Sequence, residues 1–226
     1  MSHYLRQVWA IAAKDLRVEL RTRERFASMG AFVVLTAVLF DFGIDRTQFD
    51  PREIAAVLIW LIVILAGLLG LGRTFELEKE DGGLEGLLVA PVPRDAIYLG
   101  KVVANAVLLS VTLALTVATI ALLFRVDFTQ SPGALALVLG LGLLGFTALG
   151  TLFGGITAGT RMGSTLLPVL IFPLLAPLVI FGADATATLL AGFPSSEVNG
   201  NLRMISAYAL VSLTAGVGLF RYVVED

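Results

Sequence analysis

The side chains able to do chemistry are few in this chain, and most of them fall in one place. Of 226 residues none is cysteine and one is histidine, His3, which excludes thiolate metal sites, thiol redox chemistry, an imidazole pair on a haem and a histidine-based triad. No G-x-x-x-x-G-K-[ST] run occurs, so the chain has no phosphate loop of that kind. What stands out is the stretch Phe75 to Lys101, FELEKEDGGLEGLLVAPVPRDAIYLGK, a long polar interruption in an apolar sequence. Four acids and one base lie between Glu76 and Asp81, Gly82-Gly83 break the run, Leu84, Leu87 and Leu88 follow at i, i+3 and i+4, and Pro91 and Pro93 close it. That spacing predicts a short amphipathic helix between two breakers. Its apolar face is too small for a core or a span, so the chemistry it offers is recognition: the leucines must lie on headgroups or on another protein.

The elements that position this stretch are membrane helices. Hydrophobic residues make up 57% of the chain and charged residues 15%, with a mean hydropathy of +0.90, more than a soluble core of this size requires. A span takes roughly 20 apolar residues, and the expected fold is one all-α integral membrane domain filling residues 1–226. Residues 3–25 carry Leu5, Trp9, Ala12, Leu16 and Leu20 at helical spacing, with Arg6, Lys14, Arg17 and Arg21 mostly opposite, and read as an interfacial helix on anionic lipid. Six spans follow, over about 26–42, 54–71, 96–124, 133–158, 165–181 and 202–220. The third, Ala96 to Phe124, is about 43 Å long if helical, more than a hydrocarbon core of about 30 Å. Its first turns are therefore expected to project into water with Lys101 and Asn105. The glycine-rich fourth span reads as a packed interior helix. The fifth holds Pro168, Pro173 and Pro177, which can bend it, and Ala185 to Phe193 reads as a separate re-entrant or interfacial piece.

Six spans put both termini on one side. Placing them in the cytoplasm leaves twelve of the 16 Lys and Arg inside, with Arg46, Arg52, Arg125 and Arg203 outside, as the positive-inside rule requires. Residues 75–95 then face the cytoplasm. No basic stripe with interleaved aromatics is present, which argues against nucleic acid as a partner. Mid-span carboxylates of the kind that relay protons are also missing, and Asp41 falls near a membrane face.

Glu78 to Pro93 resembles the cytoplasmic loop between the second and third spans of ABC-2 type exporter permeases. Their acid-Gly-x-Leu-Glu-x-Leu-Leu-x-x-Pro pattern, with a Gly-Lys on the next helix, is matched here by Asp81, Gly82, Leu84, Glu85, Leu87, Leu88, Pro91, Gly100 and Lys101. The run GTRMGSTLLPVLIFPLLAPLVIFG, Gly159 to Gly182, is similar to the fifth-span signature of the CcmB-type permeases, the haem exporter B subunits of cytochrome c maturation. Together the two matches and the span count cover nearly the whole chain.

This resemblance implies an ABC-2 type permease of the bacterial inner membrane, not itself an enzyme. Its coupling helix, Asp81, Gly82, Gly83, Leu84, Glu85, Leu87, Leu88 and Pro91, would seat on a separate ABC ATPase subunit that holds the ATP and Mg. A second copy of the permease, a haem-handling membrane subunit and a periplasmic haem chaperone are the other implied partners. Haem would be cargo of the complex rather than a cofactor of this chain, since the remaining axial candidates beside His3 (Met1, Met29, Met162, Met204, Tyr4, Tyr98, Tyr208 and Tyr222) show no evident pair across one pocket. An exporter permease for a drug, lipid or polysaccharide, or a non-transporting scaffold subunit, would share most of these features.

Overall fold

The computed structural model describes residues 2–45, 50–80, 91–158 and 163–223. Among them are seven helices: α1 (Ser2–Thr22), α2 (Glu24–Gly43), α3 (Pro51–Glu80), α4 (Arg94–Phe124), α5 (Pro132–Ala158), α6 (Gly163–Leu190) and α7 (Asn199–Val223). Helices α2 to α7 are each long and apolar enough to cross a membrane, and the protein is an all-α integral membrane protein. In α3 and α5, 72% of the most apolar window is buried inside the protein, against 17–33% in the other four. These two are the interior pair, and the others wrap them with faces left for lipid.

Small residues explain why α5 can be interior. Gly142 lies against the ring of Trp60, Gly145 against the ring of Tyr208, and Gly150 against Leu71, so neighbouring helices seat large side chains directly on its backbone. Trp60 is held from two sides, since a Cβ at Gly182 of α6 would also stand 2.5 Å from its indole. The indole N–H donates to Thr186 Oγ1 at 3.1 Å, and that hydroxyl donates to the Gly182 carbonyl at 2.7 Å. One aromatic ring therefore joins α3, α5 and α6.

Helix α6 differs from expectation. Pro168, Pro173 and Pro177 all lie inside it, and it runs on to Leu190, so residues 185–190 continue the fifth span and are no separate piece. Each proline removes one N–H, but in an apolar setting the rest of the backbone still has no better partner than the helix itself. The stop is Gly192 at φ 88°, with Gly192 N–H bonded to the Leu189 carbonyl at 3.1 Å and Phe193 N–H to that of Thr188 at 3.2 Å. This is a glycine C-cap closed by backbone bonds. At the turn after α4, Asp127 accepts from both the N–H and the hydroxyl of Thr129, which holds its carboxyl below the usual range.

Candidate functional site

The stretch singled out by sequence is described only at its ends. Phe75 to Glu80 continue α3 as helix, Pro91 is exposed, and Arg94 opens α4. Asp81, Gly82, Gly83, Leu84, Glu85, Leu87 and Leu88 lie outside the described residues. The two roots of the stretch, the end of α3 and the start of α4, meet α1 and the start of α2 at one end of the bundle, and there the structure shows what the sequence hid.

Helix α1 turns into α2 through a single non-helical residue, Arg23, in the left-handed region at φ 58°. The Glu19 carboxylate closes this corner. One oxygen accepts the Phe26 N–H at 2.9 Å, satisfying an orphan donor of the first turn of α2, and the other accepts Arg25 Nε at 2.6 Å. Arg25 reaches on to α3, where its Nη1 donates to Thr74 Oγ1 at 2.9 Å. Thr74 in turn donates to Asn105 Oδ1 of α4 at 3.1 Å, and Asn105 Nδ2 donates to Thr151 Oγ1 of α5 at 3.1 Å. A buried polar chain thus runs from α1 through α2, α3 and α4 to α5.

A second set of contacts fastens α1 to α4. Lys101 is 0% exposed and donates from Nζ to Asp15 Oδ2 at 3.4 Å, while Lys14 stands 3.2 Å from the other Asp15 oxygen. Near the beginning of α1, the Tyr4 hydroxyl donates to Asp95 Oδ2 at 2.8 Å. Burial, together with that carboxylate, pushes the Tyr4 hydroxyl up to about 12, so it stays a donor. Gly100 is what lets the helices meet: a Cβ there would stand 2.7 Å from Ile11 Cβ and 2.9 Å from the Val8 carbonyl oxygen. Two residues before Gly100, Tyr98 donates to the Ala148 carbonyl of α5 at 2.9 Å, with its ring 5.4 Å from that of Phe220 in α7.

One expectation is corrected here. Lys101 and Asn105 are buried, not wetted by a projecting helix end, because α1 supplies Asp15 to Lys101 while α3 and α5 supply Thr74 and Thr151 to Asn105. The face of α1 that packs inward carries Ile11, Ala12, Asp15 and Glu19. Leu5, Trp9 and Leu20 of the expected stripe point outward, with Trp9 64% and Leu20 73% exposed. They share the outer surface with Arg6 and Arg17, which suits an interface. The missed signal was there to read: Val8, Ile11, Ala12, Asp15 and Glu19 form one stripe at i, i+3, i+4, i+7 and i+11, and two acids on a stripe of apolar and small residues call for buried partners.

Among the described residues no group of three or more His, Cys, Asp or Glu could hold a metal ion. An apolar groove of about 290 Å³ lies between α3 and α6, lined by Val57, Leu61, Ile64, Phe172, Leu175 and Val179 among others. It offers surface to an apolar molecule and nothing to ligate one.

Comparison with known proteins agrees with this architecture. The family model described as "CcmB protein" matches residues 6–220. Proteins named "Heme exporter protein B" are similar over most of their length: that of Rhodobacter capsulatus is 34% identical over 77% of this chain and 80% of its own. The Paracoccus denitrificans protein is 33% identical over 81% and 84%, and the Escherichia coli K12 protein 34% over 88% and 89%. With six membrane-crossing helices, an interior pair packed on glycine, and a match that runs from the second turn of α1 into the last turn of α7, the chain belongs to the CcmB protein family.

Proposed function

We propose that this protein is the membrane subunit of an ATP-driven transporter in cytochrome c maturation, in the bacterial inner membrane with both termini cytoplasmic. A separate ATPase subunit, holding ATP and Mg, would dock on the coupling turn formed by Asp81 to Leu88 and closed by Pro91. Its closure would drive α3 and α4, and two copies of the permease would change shape together at the periplasmic face, with the prolines of α6 as the places where a span bends. Haem is the cargo of the assembly, carried across or released on its chaperone from a neighbouring haem-handling subunit. The observation that carries the reading is that buried hydrogen-bonded charge locks both roots of the 75–95 stretch to the rest of the bundle. A turn that only rested on headgroups would need no such anchorage. Three of the chain's own candidates for haem ligation are otherwise engaged: Met29 is packed over Gly70, and Tyr4 and Tyr98 spend their hydroxyls on Asp95 and Ala148. That supports leaving ligation to the partners.

Replacing Leu87 or Leu88 with Glu is the direct test. Each change removes the burial of one leucine, about 1.5–3 kcal/mol, and adds the cost of desolvating a carboxylate. The expected outcome is lower co-purification of the ATPase and loss of permease-stimulated ATP hydrolysis, with the spans still folded. Unchanged yield and stimulation in both variants would remove the coupling role.

Sidedness is tested separately on this cysteine-free background. A single cysteine introduced by Glu85→Cys should react with a membrane-impermeant maleimide only after the cytoplasmic face is opened; reaction from the periplasm of intact cells would refute the topology.

A further inference from the structure

We infer that α1 is a rigid strut joining the two roots of the 75–95 stretch, and that Asp15 and Glu19 are the positioning residues that fix it; this rests on the coupling role proposed for that stretch. Glu19 reaches the α3 root through Arg25 and Thr74. Asp15 reaches the α4 root through Lys101, helped by the close approach at Gly100 and by the bond between Tyr4 and Asp95. The two acids are one helical turn apart on α1, about 6 Å along its axis. A single turn of helix thus bridges the ends of the two spans between which the stretch hangs.

The charges matter for register more than for strength. A buried ion pair seldom stabilises more than well-packed apolar residues of the same volume, but it is strongly unfavourable in any register that strands one partner. Apolar side chains at positions 15 and 19 would let α1 slide along α4 by fractions of a turn. Two buried carboxylates on two separate cations allow one seating. With the roots tied this way, a push delivered to residues 81–91 cannot be absorbed by α3 and α4 spreading apart. It moves them as one body and, through the Glu19 corner, takes the start of α2 with them.

The test uses the permease co-purified with its ATPase, reading complex yield and permease-stimulated ATP hydrolysis. Asp15→Asn is expected to keep the yield and lose most of the stimulation, whereas Asp15→Glu keeps both. A thiol cross-link between α1 and α4, made by a short bismaleimide in the double variant Tyr4→Cys/Asp95→Cys, exchanges the hydrogen bond of that pair for a covalent tie, and once formed it should leave stimulation intact and restore it when Asp15→Asn is added. A strut that is only a structural filler would show no such rescue. Wild-type stimulation in Asp15→Asn, or loss of stimulation on cross-linking the otherwise unaltered protein, would overturn the inference; the second outcome would mean that α1 slides on α4 during the cycle. If Asp15→Asn yields no folded complex, the cross-link in the otherwise unaltered protein decides alone. Leu87→Glu run in parallel separates the two ideas. Stimulation lost there but kept in Asp15→Asn rejects the strut and leaves the coupling turn standing, while yield and stimulation kept in both Leu87→Glu and Leu88→Glu reject the coupling turn and the strut with it.

Discussion

Arg25→Met is expected to destabilise the protein by about 3–5 kcal/mol, the usual consequence of removing one partner from a buried ion pair. The arginine is 6% exposed and holds two helices at once, pairing with Glu19 of α1 at 2.6 Å and donating to Thr74 of α3 at 2.9 Å. Without it, Glu19 keeps only the Phe26 N–H among these contacts, and Thr74 loses its donor. The double variant Glu19→Leu/Arg25→Met removes the stranded charge and should regain most of the loss, short of the roughly 1 kcal/mol of a helix cap. Thermal unfolding in detergent micelles reads both. A single variant within about 1 kcal/mol of the parent, where exposed pairs fall, would show that the corner is not dry.

Trp60→Ala is the second large effect, about 3–5 kcal/mol by the general cost of emptying an aromatic site in a core. The surroundings favour the upper part of that range. Gly142 and Gly182 press on the indole from two helices, and glycines have no side chain to lean into the void. Trp60→Phe, which keeps a ring but gives up the bond to Thr186, should fall between. Gly182→Val approaches the same contact from outside and is expected to cost about 1–3 kcal/mol through overpacking. The ranking of the three variants by melting temperature is the check, and Trp60→Ala milder than Gly182→Val would contradict the slot geometry.

What could be read from sequence divides along a physical line. The spans were legible because apolar length is a local property: about 20 residues of hydrocarbon-compatible side chains need no knowledge of neighbours. The glycines of α5 likewise announced close packing, and α5 is interior. Misreadings came where the outcome depends on something distant. The fifth span was expected to end at residue 181 with a separate piece after it, yet the terminator is Gly192, whose backbone geometry no composition rule separates from that of Gly182 ten residues before. Lys101 looked like a residue needing water because its partner, Asp15, is 86 positions away. Trp60 carried no signal of its own, since its seat is assembled from three helices. For the proposed coupling turn the order is reversed: Leu84, Leu87 and Leu88 are conspicuous in sequence, and the structure speaks only to the anchors on either side.

The spacing of the two ion pairs also orders events while the chain is being made. Glu19 and Arg25 are six positions apart and can meet as soon as both have left the ribosome. Asp15 must wait for Lys101, 86 residues later, which at about 5–20 residues per second takes roughly 4–17 s. Through that interval α2 and α3 can enter the bilayer, while α1 has an ionised carboxylate on the face it will later bury and no cation from α4 to receive it. The helix is obliged to remain at the water boundary, on the outward surface formed by Trp9, Leu20 and the arginines, and it docks only when the fourth helix arrives. A nascent chain truncated before residue 101 should accordingly leave α1 open to protease, and one extended past α4 should protect it.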